Sequence, residues 1–486
     1  MGKFIENPDV VVDIVRPPWA ALPVMLVASF LFATDAFIVN IALPTIGRTL
    51  SASPAMLVLI VAGYATAYAC CLVAGGRLGD AFGRRRLFLW GMAAFVIASA
   101  GCGLAPSIGV LVGARLAQGI AAAAMVPQVL ATVQALFHGA DRARALGVFG
   151  AVIGSATVTG QVLGGAVVSA DIAGLGWRPA FLINVPIGLA GIVIGRRLIP
   201  ETRAERAPRL DVVGALLLMV AVLLVIFPLS LGRDMGWPWW CLVCLACAPL
   251  AWIVFLRAQL RRERRGHSPL LPPTLLAFAG MRRGLSTQLS YFIGVGGFLI
   301  TTAISLQTGL GLGPLAAGLM LVPYAAAFLG GSLWVRPFVA RHGRLIIVCG
   351  AGGLTVGLSV FAIEALLGYS QLSAAELAAP LVLIGAGQAF VMIPLLGTIL
   401  AEVPADLAGA ASGVLTTTQQ IGIALGAAVL GTVLFDIADP ASGSPRWGAA
   451  TAVVLGVEAL LAITTAVLAR SLPSGGAPPR QRPQRR

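Results

Sequence analysis

Two charged side chains stand where charge is expensive. Asp35 lies in the run FLFATDAFIVNIALP, and Arg115 lies in ARLAQGIAAAA, each surrounded by residues suited to hydrocarbon or to a packed core. Insertion scales put an Asp or Arg at the centre of a spanning helix at roughly 2.5–3.5 kcal/mol, so each must face a polar path or a partner. An aspartate that alternates between wet and dry surroundings, or gains and loses a cationic neighbour, can bind and release a proton. Arg115 is the natural opposing charge. Static roles compete with this chemistry: Asp35 can hold a neighbouring helix by hydrogen bonds, and Arg115 can pin helices by donating to backbone carbonyls.

The other titratable groups are few enough to place one by one. His138, His267 and His342 fall in the polar connections between apolar runs, which argues against a histidine relay inside a membrane. Glu364 falls toward the end of its run and can reach an interface. Glu458 stands near the middle of the last run, either protonated or bonded to a neighbour. Asn40, Gln118, Tyr291, Gln307, Gln388, Thr416 and Gln419 are neutral polar residues in apolar surroundings, candidates for a substrate cavity and equally for helix-to-helix hydrogen bonds. Such a cavity suits an amphipathic small molecule with a few hydrogen-bonding groups, and the scarcity of acids argues against a multiply charged cation.

The elements that must position these groups follow from composition. Of 486 residues, 58% are hydrophobic and 11% charged, and the mean hydropathy is +0.94, values that belong to a polytopic membrane protein. Windows long enough to cross a ~30 Å hydrocarbon core fall near 20–45, 54–76, 87–105, 108–130, 145–169, 179–198, 211–231 and 239–256, then 284–307, 315–336, 344–367, 379–401, 408–435 and 447–470. An even number of spans puts both termini on one side. If that side is cytoplasmic, the inner segments hold 28 of the 33 basic residues; the outer loops hold Arg48, Arg178, Arg233 and Arg446, and Arg115 is within a span. The formal charge of +14 is thereby explained by the positive-inside rule and anionic headgroups, and nucleic acid is not an expected partner. No cleavable leader pattern precedes the first span. All seven cysteines lie in apolar runs and behave as small hydrophobes; Cys241, Cys244 and Cys247 recur every three residues without a nearby His or acid, so packing is preferred over metal binding.

Two arginine-rich connections, 196–209 and 257–283, bracket the seventh and eighth spans, so the chain reads as six plus two plus six. The expected organisation is a cytoplasmic N-terminal segment 1–18, a six-helix bundle 19–198, a two-helix insertion with basic flanks 199–283, a second six-helix bundle 284–470 and a disordered basic tail 471–486. A repeat supports the division: AFGRRRLFLWG after the second span is echoed by ARHGRLIIVCG after the tenth, with Ala340 opposite Asp80. Paired six-helix bundles with a path between them are a common transporter plan.

The connection GGRLGDAFGRRR carries Gly76, Leu78, Asp80, Gly83, Arg84 and Arg85 at a spacing that resembles the signature loop of the major facilitator superfamily. Glycine there permits a tight turn, Asp80 needs a positive partner, and the arginines anchor at headgroups. Four further stretches narrow the resemblance to that superfamily's fourteen-span drug:proton antiporters: TDAFIVNIALPTI, ARLAQGIAAAA, GWRPAFLINVPIG and ASGVLTTTQQIGIALGAAVLGT, in the first, fourth, sixth and thirteenth spans. The match covers nearly the whole chain. It implies a major facilitator fold, proton coupling through Asp35 and Arg115, a gating role for Gly76, Asp80, Gly83, Arg84 and Arg85, and residence in a bacterial cytoplasmic membrane. A monomer is the expected unit, with the proton as coupling ion and no other cofactor.

The fifth span departs from that family. Its pattern there is Gly-x-x-x-Gly-Pro-x-x-Gly-Gly, and this chain reads ATVTGQVLGG, with Ala156 for the first glycine and Gln161 for the proline beside Gly160, Gly164 and Gly165. Small residues every four positions allow close helix approach, while a proline kink is exchanged for a hydrogen-bonding side chain. The family associates this stretch with export, so the change keeps an importer or uniporter of a small metabolite open beside proton-driven export of drugs, antibiotics or secondary metabolites. A membrane-embedded enzyme or a non-transporting receptor is the reading from another class. Against the enzyme stand the lack of intramembrane histidine, of metal-ligand clusters and of a nucleophile with a base.

Overall fold

A computed structural model describes residues 10–12, 18–204, 211–400, 403–404, 407–439 and 446–472. Residue 473 onward, where the tail was expected to be disordered, and most of the N-terminal segment lie outside the described residues. Among the described residues fourteen helices are long and apolar enough to cross a membrane. They are α1 (Pro18–Thr49), α2 (Pro54–Phe82), α3 (Arg84–Gly103), α4 (Ile108–Leu136), α5 (Gly139–Ser169), α6 (Pro179–Leu198), α7 (Val212–Leu231) and α8 (Trp239–Arg264), followed by α9 (Ala279–Gly309), α10 (Pro314–Val339), α11 (Arg341–Gln371), α12 (Ala374–Leu400), α13 (Ala410–Ala438) and α14 (Trp447–Ala469). In hydrocarbon every backbone polar group must be satisfied within its own segment, which is why uninterrupted apolar runs become helices. The spanning part is all-helical as expected; outside it one short antiparallel ribbon, β1 (Val10–Val12) with β2 (Thr202–Ala204), ties the N-terminal segment to the chain leaving α6.

The helices outrun the apolar windows. The stretch Gly76–Phe82, expected as a loop, is the last two turns of α2; only Gly83, at φ +103°, breaks the chain before α3. Asp80 near the end of α2 and Arg84 at the start of α3 pair across the break at Gly83, which holds the polar sequence at the helix junction. Likewise α8 runs on to Arg264, which makes Arg257, Arg261 and Arg262 helical. The echo of the first loop is built differently. Between α10 and α11 the chain kinks at His342 (φ −129°, ψ 18°) with no left-handed glycine.

Helices α1–α6 pack as one bundle and α9–α14 as another; each has an apolar cluster of its own, and a third cluster runs across both bundles and into α7 and α8. The bundles meet where α2 lies along α13 and α5 along α10, with α1 against α9. The inserted pair sits outside this frame: 72% of the apolar window of α2 is buried but only 17% of that of α8, so α8 presents most of its surface outward. A buried polar knot holds the insertion. Asp211 caps α7 by accepting from Gly214 N at 2.8 Å, and also takes Gln259 Nε2 at 2.9 Å and Leu270 N at 3.1 Å. Arg77 of α2 donates to the carbonyls of Ser268 and Pro269 in the connection that follows α8.

Candidate functional site

Asp35 and Arg115 form a fully buried ion pair between α1 and α4, with Arg115 Nη1 2.5 Å from Asp35 Oδ2. Neither charge is left with one partner. Gln118 Nε2 and Asn184 Nδ2 donate to Asp35 Oδ1 at 2.9 and 3.0 Å, and both also reach Ser99 Oγ, at 2.7 and 3.2 Å. Arg115 in turn donates to Gln118 Oε1 at 2.6 Å and, through Nε, to the Ile60 carbonyl at 3.2 Å, while its guanidinium lies 4.0 Å from the centre of the Tyr64 ring. Charge-assisted bonds of this kind are roughly twice as strong as neutral ones. Breaking such a pair from one side only is costly, because it strands a buried charge. The five side chains Asp35, Ser99, Arg115, Gln118 and Asn184 come from α1, α3, α4 and α6, so the knot spans most of the first bundle.

The fifth span holds α1 at this depth. A Cβ on Gly160 would lie 2.6 Å from Phe37 Cβ and 3.0 Å from the Thr34 carbonyl, and one on Gly164 would meet the Ile38 backbone at 3.2 Å, so these glycines let α5 seat against the turn of α1 that carries Asp35. The opposite side of α5 faces the second bundle. A Cβ on Gly165 would lie 2.7 Å from the Pro314 carbonyl, and one on Gly318 would lie 2.6 Å from the Gln161 carbonyl. Gln161 contributes its backbone to that contact, and its side-chain oxygen is buried without a partner among the described residues.

The cavity candidates do not share one opening. Gln118 belongs to the ion-pair knot. Tyr291 and Gln388 lie inside the second bundle, where Tyr291 Oη donates to the Gln388 carbonyl at 3.0 Å and Tyr324 Oη to Gln388 Oε1 at 2.8 Å. Gln307, on the π turn that ends α9, crosses the bundle interface to donate to the Ile41 carbonyl at 2.8 Å, and Asn40, one residue earlier on α1, donates to the Ala36 carbonyl of its own helix. Thr416 is half-buried and donates back to Ser412 on α13, with Gln419 half-buried a turn later. Sequence reasoning missed Ser99, Asn184, Tyr64 and Tyr324.

At the α2–α3 junction Arg84 donates to Asp80 at 2.8 Å and to the Ala131 carbonyl at 3.0 Å, which ties the turn to α4. Glu201, not singled out from sequence, accepts from Arg85 N at 3.1 Å and so places a carboxylate at the positive end of α3. It also occupies the space beside Gly83, where a Cβ would lie 2.5 Å from Glu201 Oε1. Gly76 has open space around it. Asp80→Asn is expected to lower stability by about 1 kcal/mol, since the pair is only partly exposed, while Arg85→Ala, whose side chain reaches an exposed carbonyl of Arg196, changes it less. Thermal unfolding of the purified variants in detergent checks the order.

Two six-helix bundles joined by an outlying pair, with an ion pair and its hydrogen-bond shell buried in the spanning helices of one of them, define a polytopic membrane transporter. Comparison with known proteins gives the family. The profile of the Major Facilitator Superfamily matches residues 25–427, and the chain belongs to that superfamily. It is 37% identical over 426 residues to the probable actinorhodin transporter of Streptomyces coelicolor, covering 86% of this chain and 73% of that one. It is 35% identical over 470 residues to the cephamycin export protein of Amycolatopsis lactamdurans, covering 94% of each. Among solved structures, the inward-open xylose transporter of E. coli superposes with a TM-score of 0.64 over 93% of this chain and 96% of its own, at 14% identity, which speaks to the fold alone. Fourteen spanning helices and bacterial relatives of this kind make the chain a multi-pass protein of a bacterial cytoplasmic membrane.

Proposed function

We propose that this protein exports amphipathic antibiotics or related secondary metabolites in exchange for protons, by rocking its two bundles about the contacts of α2 with α13 and α5 with α10. The observation that carries the proton is the Asp35 knot: one fully buried carboxylate, held by an arginine and two amide donors that can each be released or regained as α1, α4 and α6 shift. Relatives described as antibiotic transport and export proteins support the substrate class. So do the side-chain oxygens of Asn40, Gln161 and Gln307, buried near the interface without partners among the described residues and suited to hydroxyl or amine donors of a neutral substrate. In this reading both termini are cytoplasmic, the monomer is the working unit, and the chain is not an enzyme.

The test is transport in proteoliposomes under an imposed pH gradient, with a panel that includes polyketide and β-lactam antibiotics. Substrate movement opposite to a measured proton flux is the expected result; substrate moving with its own gradient and no proton flux would instead support a uniporter. Gln161 in place of the family's proline is the one observation that favours such a second reading, because it alters the span associated with export.

A further inference from the structure

Glu458 is the acid that the Asp35 mechanism does not use. It lies near the middle of α14, is 1% exposed, and neither of its carboxyl oxygens has a hydrogen-bond partner among the described residues. Desolvating an isolated carboxylate costs far more than a fold can spare, so a group in this position takes up a proton rather than stand ionised. The surroundings are built to admit one. Glu458 borders a small cavity, about 10 Å³ in volume, together with Ser290, Tyr291, Gln388 and Thr465, room for about one water. Gly297 of α9 faces the carboxyl, and a Cβ there would lie 2.9 Å from Glu458 Oε1.

The groups facing Glu458 from its neighbours are known. Helix α9 contributes Tyr291 and Ser290 to the cavity, α11 contributes Leu354 and Leu358 and α12 contributes Gln388, while Leu430 of α13 shares with the carboxyl the space beside Gly297. Among the described residues Tyr291 is the one other titratable group lining the cavity, and no arginine, lysine or histidine lines it; Glu364 is six residues beyond Leu358 on α11. From the cavity a line of polar groups leads on: Tyr291 Oη to the Gln388 carbonyl, and Gln388 Oε1 to Tyr324 Oη on α10, the helix that packs against α5 of the other bundle.

We propose that Glu458 and the polar cavity beside it are a second proton-binding site, located in the C-terminal bundle, whose proton exchanges with water as the bundles move. The site deepens the transport reading and rests on it for its role in the cycle, while its existence as a proton site does not. Each turnover would then carry two protons, one at Asp35 and one at Glu458.

Infrared difference spectroscopy on the reconstituted full-length protein tests the site without any substrate. At neutral pH the wild type is expected to show the carbonyl stretch of a protonated carboxylic acid that shifts in D2O and is lost in Glu458→Gln; Glu458→Asp, which retains the acid should Gln fold poorly, is expected to keep it. A band unaffected by Glu458→Gln, or one that never exchanges in D2O, overturns the proposal. In the transport assay Glu458→Gln is expected to halve the protons moved per substrate, and an unchanged ratio overturns the two-proton cycle. If the wild type moves no protons yet the exchangeable band depends on Glu458, the antiport reading has failed and the proton site stands.

Discussion

Asp35→Asn is expected to remove the Asp35 proton from the cycle and so lower proton-driven accumulation, while leaving substrate exchange down its own gradient. The side chains are nearly the same shape, and an asparagine oxygen can still accept from Gln118 and Asn184. What disappears is the charge opposite Arg115 and the only proton-binding oxygen in the knot. A membrane potential of 100 mV contributes about 2.3 kcal/mol per charge, which corresponds to about 50-fold accumulation per proton; the variant should lose that factor from its steady-state ratio under an imposed potential. Accumulation equal to wild type would remove Asp35 from coupling. Stability supplies an independent check. Arg115→Ala strands the Asp35 carboxylate and is expected to cost about 3–5 kcal/mol. Adding Asp35→Asn to it should cost less than the sum of the two single changes, with a coupling of about 0.5–3 kcal/mol by denaturant or thermal unfolding. Additivity would mean that the 2.5 Å pair is not an energetic unit.

The parts of this arrangement that sequence reveals are those where the physics is local. A twenty-residue apolar window is a strong signal because bilayer thickness fixes it, and a charge inside such a window stands out because it is expensive; both Asp35 and Arg115 are visible for that reason. Ser99 and Asn184 are not, because small polar residues are ordinary helix-to-helix bonds in membranes, and only the packing of α3 and α6 against α1 brings them to the carboxylate. The neutral cavity candidates illustrate the same limit. Their residue types are correctly unusual, but type does not say which bundle a glutamine faces, and Gln118, Gln307 and Gln388 turn out to serve three different places. The helical Gly76–Phe82 stretch was hidden because glycine-rich polar sequence reads as loop, whereas α2 continues up to Gly83 and the Asp80–Arg84 pair clamps the junction beyond it. Glu458 was visible as an acid, and the missing partner that gives it interest is a property of the fold.

Gly318→Val is expected to open the molecule at the end where α5 meets α10. There the bundles touch through backbone: Gly318 sits over the Gln161 carbonyl, Gly165 over the Pro314 carbonyl, and Leu315 N donates to Ser169 Oγ at 2.9 Å. No flexible side chain is available to yield, so an added branched group must push the two helices apart. Overpacking of a tight contact costs typically 1–3 kcal/mol. The cost falls on the conformation in which this end is shut and not on one in which the bundles have separated, so the equilibrium should move toward opening by roughly 5- to 150-fold. Spin labels at Ala170 and Leu312, placed in a cysteine-free background, should report a longer distance in Gly318→Val, and net transport should fall by tenfold or more because the cycle stalls at closure. Gly330 lies on the same helix with open space around it, so Gly330→Val should change neither reading. If the label distance in Gly318→Val matched wild type while transport was lost, the contact would matter for folding or substrate access, and α5 with α10 would not be a gate.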